Sequence, residues 1–169
     1  TRFDQFVKAM AYVGKEFEDR VRYLHESWMP ARDLVRTALK ERLETDPSGE
    51  IIKFNGVCPP WKDHLFELEP ELGIIDVIKF AIYQDTANSS WRVQAVNKNS
   101  QTFELRCPLP KSWRGLRDAE LCLESGISDA VFVHSSGFIG GALSYKSALE
   151  MAKKTLEFAH AGERNDFGH

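Results

Sequence analysis

Ala130–Gly141 reads AVFVHSSGFIGG, and the interpretation of this stretch decides how the end of the chain is folded. An apolar run of strand type, Val131 to Val133, ends in His134-Ser135-Ser136. Gly137, Gly140 and Gly141 then surround Phe138 and Ile139. The next segment, ALSYKSALEMAKKTLEF, has helical spacing, with Ala148, Leu149, Ala152 and Leu156 on one face from Ser144 to Phe158. The pattern predicts strand, glycine-rich corner, helix.

Such a corner can serve three purposes. It can be a tight turn that packs the helix onto a sheet. It can bind an anion, because a backbone without Cβ atoms approaches a phosphate closely and N–H groups at a helix start point at it. Or Ser135 or Ser136 can be a nucleophile, which requires a positioned base. His134 adjoins Ser135, but neighbouring side chains on a strand point to opposite faces. The motif is not GxGxxG, lacks the Lys of a Walker loop and is not a GxSxG elbow.

Upstream, Val77–Gln84 (VIKFAIYQ) and Trp91–Val96 (WRVQAV) are β-type runs separated by polar residues, which reads as an antiparallel hairpin. Phe103 to Arg106 is a candidate third strand and Ile51 to Phe54 a short one. Trp61 to Leu68 reads as a short helix ended by a break at Pro70 and Gly73, and Leu116 to Leu123 as another closed by Gly126. At the start, Phe3, Phe6, Met10, Val13, Phe17, Val21, Leu24 and Trp28 make one apolar stripe on a long helix. Pro30 is expected to end or kink it and to open a second helix carrying Leu34, Val35, Leu39 and Leu43. The order gives an α+β fold: a mixed or antiparallel sheet with helices on one face, preceded by two N-terminal helices. Residues 161–169 read as a frayed tail.

The chain has 169 residues and a net charge of −3. One domain of this size buries enough surface to fold without metal or disulfide. No global basic field draws it to nucleic acid, so such a contact needs a local patch. Cys58, Cys107 and Cys122 have no metal-site spacing and read as small buried hydrophobes of a reduced, intracellular protein. No apolar run reaches membrane-spanning length and no leader pattern opens the chain. Thr1 stands where a Met would begin a complete protein, so a longer parent is expected.

A local cationic patch is present. Lys111-Ser-Trp-Arg-Gly-Leu-Arg117 places Lys111, Arg114 and Arg117 around Trp113 in a loop flanked by Pro108 and Pro110. Arginine grips phosphate with a fork of donors, and Trp113 can stack on a base or fold into the core. Trp61 reads as a core anchor beside Lys62 and His64, and His25 as a residue near a helix end. No Asp/His/Glu set has metal-ligand spacing, and no self-sufficient catalytic set is visible.

HESWMPARDLV, DPSGEII, CPPWKDHL, LPKSWRGLRDAEL and VFVHSSGFIGG fall in an order that resembles the C-terminal half of the Myg (melanocyte-proliferating-gene) exonuclease family, a divergent branch of the DHH phosphoesterases. The resemblance runs from about Phe3 to Leu156. It implies a substrate-binding portion of a metal-dependent 3′→5′ RNA exonuclease. The metal ligands, for Mn or Mg, would lie on an N-terminal half absent here, so that this chain alone is inactive. The implied binding residues are Gly137, Phe138, Ile139, Gly140 and Gly141, led by His134, Ser135 and Ser136, with Arg114, Lys111, Trp113 and Arg117 on the SWRGL element. Relatives often place His directly after the glycines, where Ala142 stands. The resemblance also implies RNA 3′ ends and the N-terminal half as partners, with a homodimer as an option, and residence in nucleus or mitochondrion. The division expected is 1–45 as helices packing on the missing half, 46–160 as the substrate-binding domain, and 161–169 as tail. The alternatives are a non-catalytic nucleotide-binding or regulatory module and a structural interaction domain.

Overall fold

The computed structural model describes residues 1–166. The strands β1 (Ile51–Lys53), β2 (Phe80–Gln84), β3 (Trp91–Ala95), β4 (Ala130–Val133) and β5 (Ile139–Ala142) form one five-stranded sheet in the order β1-β2-β3-β5-β4. β1 and β2 are parallel, joined through helix α4 (Lys62–Leu72); the other pairings are antiparallel. The expected hairpin is β2–β3, with Tyr83 opposite Arg92. The class is α+β with a mixed sheet and a long N-terminal helix.

The helices, expected on one face, cover both. On one side α6 (Tyr145–Asp166) packs Ala148, Met151, Ala152 and Leu156 against Phe80, Ile82, Val93 and Ala95. On the other, α2 (Met29–Lys40) and α4 bury Val35, Leu39, Leu65 and Leu68 against Ile52 and Ala81. The reason is alternation: Ile51 and Ile52 point to opposite faces and both are fully buried, so β1 needs a cover on each side.

α1 (Arg2–Tyr23) begins with a capping box, the Thr1 hydroxyl and the Asp4 side chain satisfying each other's backbone donors. None of its residues is buried. Pro30 does not break the helix path. A π turn over Leu24–Trp28 absorbs the missing N–H, with the Met29 N–H donating to the Leu24 carbonyl, and α2 follows directly. Pro70 likewise lies inside α4, which ends at Gly73 in the left-handed region. A short α3 (Arg42–Thr45) leads into β1.

Three further expectations are corrected. Phe103–Arg106 is not a strand: Leu105 makes a single bridge to Asn97, and Phe103 is 97 % exposed, with no neighbour to pair it. The glycine corner does not lead into a helix, because Ile139–Ala142 is β5, between β3 and β4. Residues 161–166, expected as tail, continue α6; 167–169 lie outside the described residues. α5 (Asp118–Ser125) ends at left-handed Gly126 as anticipated.

An ion pair is buried in the α4 layer. Arg106 Nη1 and Nη2 donate to the two Glu69 carboxylate oxygens at 2.6 and 2.8 Å, and Nη1 also donates to the Ile78 carbonyl. Both side chains are under 5 % exposed. Cys107 is buried and Cys58 and Cys122 are half-buried, with burial pushing the Cys58 thiol up to about 11.

Candidate anion-binding turn

The turn between β4 and β5 is tight. The Gly137 N–H donates to the His134 carbonyl at 2.8 Å and the His134 N–H to the Ile139 carbonyl at 2.9 Å. Gly137 has φ +73°, where a side chain is strained. The Ser136 N–H donates to His134 Nδ1 at 3.2 Å, so Nδ1 is the accepting nitrogen. The Ser136 hydroxyl lies 2.9 Å from the same atom. In neutral His134 the proton therefore sits on Nε2, directed away from the turn. Phe138 meets the imidazole edge-on, with ring centroids 4.8 Å apart. His134, Ser135 and Ser136 are exposed. The histidine contacts Ser136, not Ser135, and among the described residues no hydrogen bond to a carboxylate orients its ring, so the His134–Ser136 pair braces the turn.

The cationic segment lies against this turn. The Leu109 N–H donates to the Gly137 carbonyl, the Gly115 N–H to Val133, and the Val133 N–H to Leu116. Lys111–Trp113 forms one 3₁₀ turn between these bonds. Arg114 Nε donates to the Leu109 carbonyl at 2.9 Å. The same nitrogen lies 2.6 Å from where a Gly137 Cβ would sit. Glycine there is thus required twice, for its φ and for the guanidinium lying against it. Two stretches noticed separately in the sequence form one rim. Among the described residues Lys111, Arg114 and Arg117 form no ion pair, unlike Arg92 and Arg106. Their charge is free for an external anion.

Other candidate positions fall elsewhere. Trp113 is 2 % exposed, edge-on to Phe158, so the core reading of its two alternatives holds and it is not a stacking surface. Gly140 and Gly141 occupy a central strand whose N–H groups serve the ladders on either side, so they cannot cradle a phosphate. Their reason is packing. A Cβ on Gly140 would lie 2.8 Å from Met151 Sδ and 3.2 Å from the Phe132 carbonyl oxygen. Ala142 is fully buried, facing the core, so this position offers no contact to a ligand. Ile139 is half-exposed on the face away from α6. Arg117 leaves the turn and lies over the Phe132 ring at 5.7 Å. His64 is buried, its Nε2–H donating to the Trp28 carbonyl at 2.7 Å, and it braces the π turn. No group of three metal-ligating side chains exists among the described residues. No helix among the described residues is long and apolar enough to cross a membrane.

Fold and rim together define an α+β domain with an unpaired cationic edge beside an exposed His-Ser-Ser turn. The chain belongs to the MYG1 exonuclease family, whose model, described as an uncharacterised protein family (UPF0160), matches residues 1–156. It is 48 % identical over 165 residues to MYG1 protein C27H6.8 of Caenorhabditis elegans, covering 96 % of this chain and 47 % of that protein. It is 51 % identical to the MYG1 protein of Dictyostelium discoideum, covering 90 % of this chain and 46 % of that one. With the human MYG1 exonuclease the identity is 49 %, over 89 % of this chain and 40 % of the relative. The chain spans rather under half the length of these relatives. No solved structure matches it.

Proposed function

We propose that this chain is the substrate-gripping portion of a metal-dependent 3′→5′ RNA exonuclease. The observation that carries the reading is the junction of the unpaired Lys111–Arg114 segment with the exposed His134–Gly137 turn. Arg114 has its Nε fixed by Leu109, which leaves the outer nitrogens of its fork for two phosphate oxygens. Lys111 adds a point charge. His134 Nε2–H and the Ser135 hydroxyl supply neutral donors at the same edge, while the Ser136 hydroxyl donates to His134 Nδ1 and holds the ring. Phe138, half-exposed beside His134, offers a ring edge to a terminal sugar or base.

The name exonuclease belongs to the mammalian relatives, and the activity is extended to this chain as part of the proposal. A divalent metal, Mn or Mg, would be held by the part of the relatives' length that this chain does not span. This chain alone would bind and orient the strand without cleaving it. The exposed apolar stripe of α1, with Phe3, Phe6, Met10 and Phe17 each more than half exposed, is the surface on which that other part would pack. A nuclear or mitochondrial location belongs to the same proposal.

The test is binding of a short fluorescent RNA with a free 3′-hydroxyl. We expect micromolar, salt-sensitive binding that falls about tenfold in Arg114→Ala. Equal binding by Arg114→Ala and wild type, both folded by circular dichroism, would remove the reading.

A further inference from the structure

One face of the sheet is only half covered. The α2–α4 layer lies over β1 and β2. Beyond it, on β3, β5 and β4, the side chains pointing away from α6 are Arg92, Gln94, Ile139 and Phe132, all half-exposed. The strand register aligns five positions in one row across this face. Tyr83 is opposite Arg92, Arg92 opposite Gly141, Gly141 opposite Phe132, and Phe132 bridges to Arg117. At about 4.8 Å per strand the row is about 19 Å long.

Its chemistry is specific. Gly141 leaves room for its two neighbours to close over it: a Cβ there would lie 2.7 Å from the Phe132 ring and 2.8 Å from Arg92 Nη1. Arg92 and Arg117 both approach the Phe132 ring, at 5.2 and 5.7 Å. Arg92 is locked by Asp85 and Ser90, each at 2.7 Å, so its charge is balanced and its plane fixed. Arg117 has no acidic partner among the described residues. The Tyr83 hydroxyl donates to Gln94 Oε1 at 2.9 Å, which aims the Gln94 amide nitrogen at solvent. One end of the row opens into a cavity of about 400 Å³ under Val57 and Cys58. Aromatic and guanidinium planes interleaved across an open sheet face suit unpaired bases, and one free arginine suits the linking phosphate.

We propose that the row Tyr83–Arg92–Gly141–Phe132–Arg117 is a track for about three nucleotides of single-stranded nucleic acid, leading away from the anion-binding turn. The inference rests on the reading of this domain as a nucleic-acid grip and adds where the strand lies beyond its end. Arg117 takes a phosphate, the Gln94 amide meets a base edge, and the Arg92–Phe132 pair carries a base plane.

The test compares uridine oligomers of two, four and eight nucleotides by fluorescence anisotropy, on wild type, Arg117→Glu, Gln94→Leu and Arg114→Ala. Arg117 is exposed and Gln94 half-exposed, so neither change threatens folding, and circular dichroism checks both. Wild type should gain affinity from dimer to tetramer. Arg117→Glu should cancel that gain, weakening the tetramer about tenfold and the dimer little, with the salt slope reduced by about 0.7. Gln94→Leu should weaken the tetramer about threefold. If Arg114→Ala abolishes binding while Arg117→Glu and Gln94→Leu leave length dependence and salt slope unchanged, the track is wrong and the turn stands. If no oligomer binds, or an acidic peptide of equal charge binds as well, both readings fall.

Discussion

Two neighbouring strands of one sheet are built on opposite rules. In β2, Phe80, Ala81 and Ile82 are all fully buried, because α6 covers one face and α2 with α4 the other. In β3, Val93 and Ala95 are buried but Arg92 and Gln94, which alternate with them, are not. The change from continuous to alternating hydrophobicity marks where the second helical layer stops. Both faces of the doubly covered half are taken up by packing. The half covered once has a face left over, and its outer edge carries the unpaired cations and the exposed turn.

Substitutions can break this contrast, and their costs should fall in order. The largest effect belongs to the covered half. Arg106→Met leaves Glu69 buried without its partner and should cost about 3–5 kcal/mol in urea unfolding. Next comes the line between the two faces. Gly140→Val drives a side chain into Met151 and the Phe132 backbone, for about 1–3 kcal/mol or more.

Asp46 gives a smaller, pH-dependent effect. Burial acts to raise its pKa, but the Ser48 hydroxyl and N–H, with Lys153 of α6, hold it below the usual carboxylate value. A lowered folded-state pKa stabilises the protein above the unfolded value, and that stability is lost as pH falls through the folded one. Asp46→Asn should therefore cost about 1–2 kcal/mol at pH 7 and almost nothing well below pH 4, read as converging unfolding midpoints. The smallest effect belongs to the open face, where Gln94→Ala should change stability by no more than about 0.5 kcal/mol. A large cost there would mean that the face is not free.

The covered half was largely legible in the sequence, because its signals are local. The apolar spacing of Val35 and Leu39, the Leu65 and Leu68 face of α4 and the start of the β2–β3 hairpin each follow from a few adjacent residues. β5 was hidden, since Ile139-Gly140-Gly141-Ala142 has no strand preference. Its glycines answer to Met151, Phe132 and Arg92, which lie nearby only after folding. Phe103–Arg106 had the composition of a strand but makes only one isolated bridge, from Leu105 to Asn97. The turn and the cationic segment were each visible, but their junction was not, because it is made by backbone bonds from Leu109 and Gly115. Arg92 was readable as the polar side of an alternating strand. Its alignment with Phe132 and Arg117 depends on register, which a single sequence does not reveal.

The central claim is that the once-covered half of the sheet and its edge grip a single strand of nucleic acid. The most direct measurement is amide chemical-shift mapping of the isotope-labelled chain titrated with a four-nucleotide RNA. Shifts should concentrate at Lys111–Arg117, at His134–Phe138 and along the row Tyr83, Arg92, Gly141, Phe132 and Arg117, with α4 and the Arg106 region silent. Shifts confined to α1, or spread evenly over the surface, would contradict it.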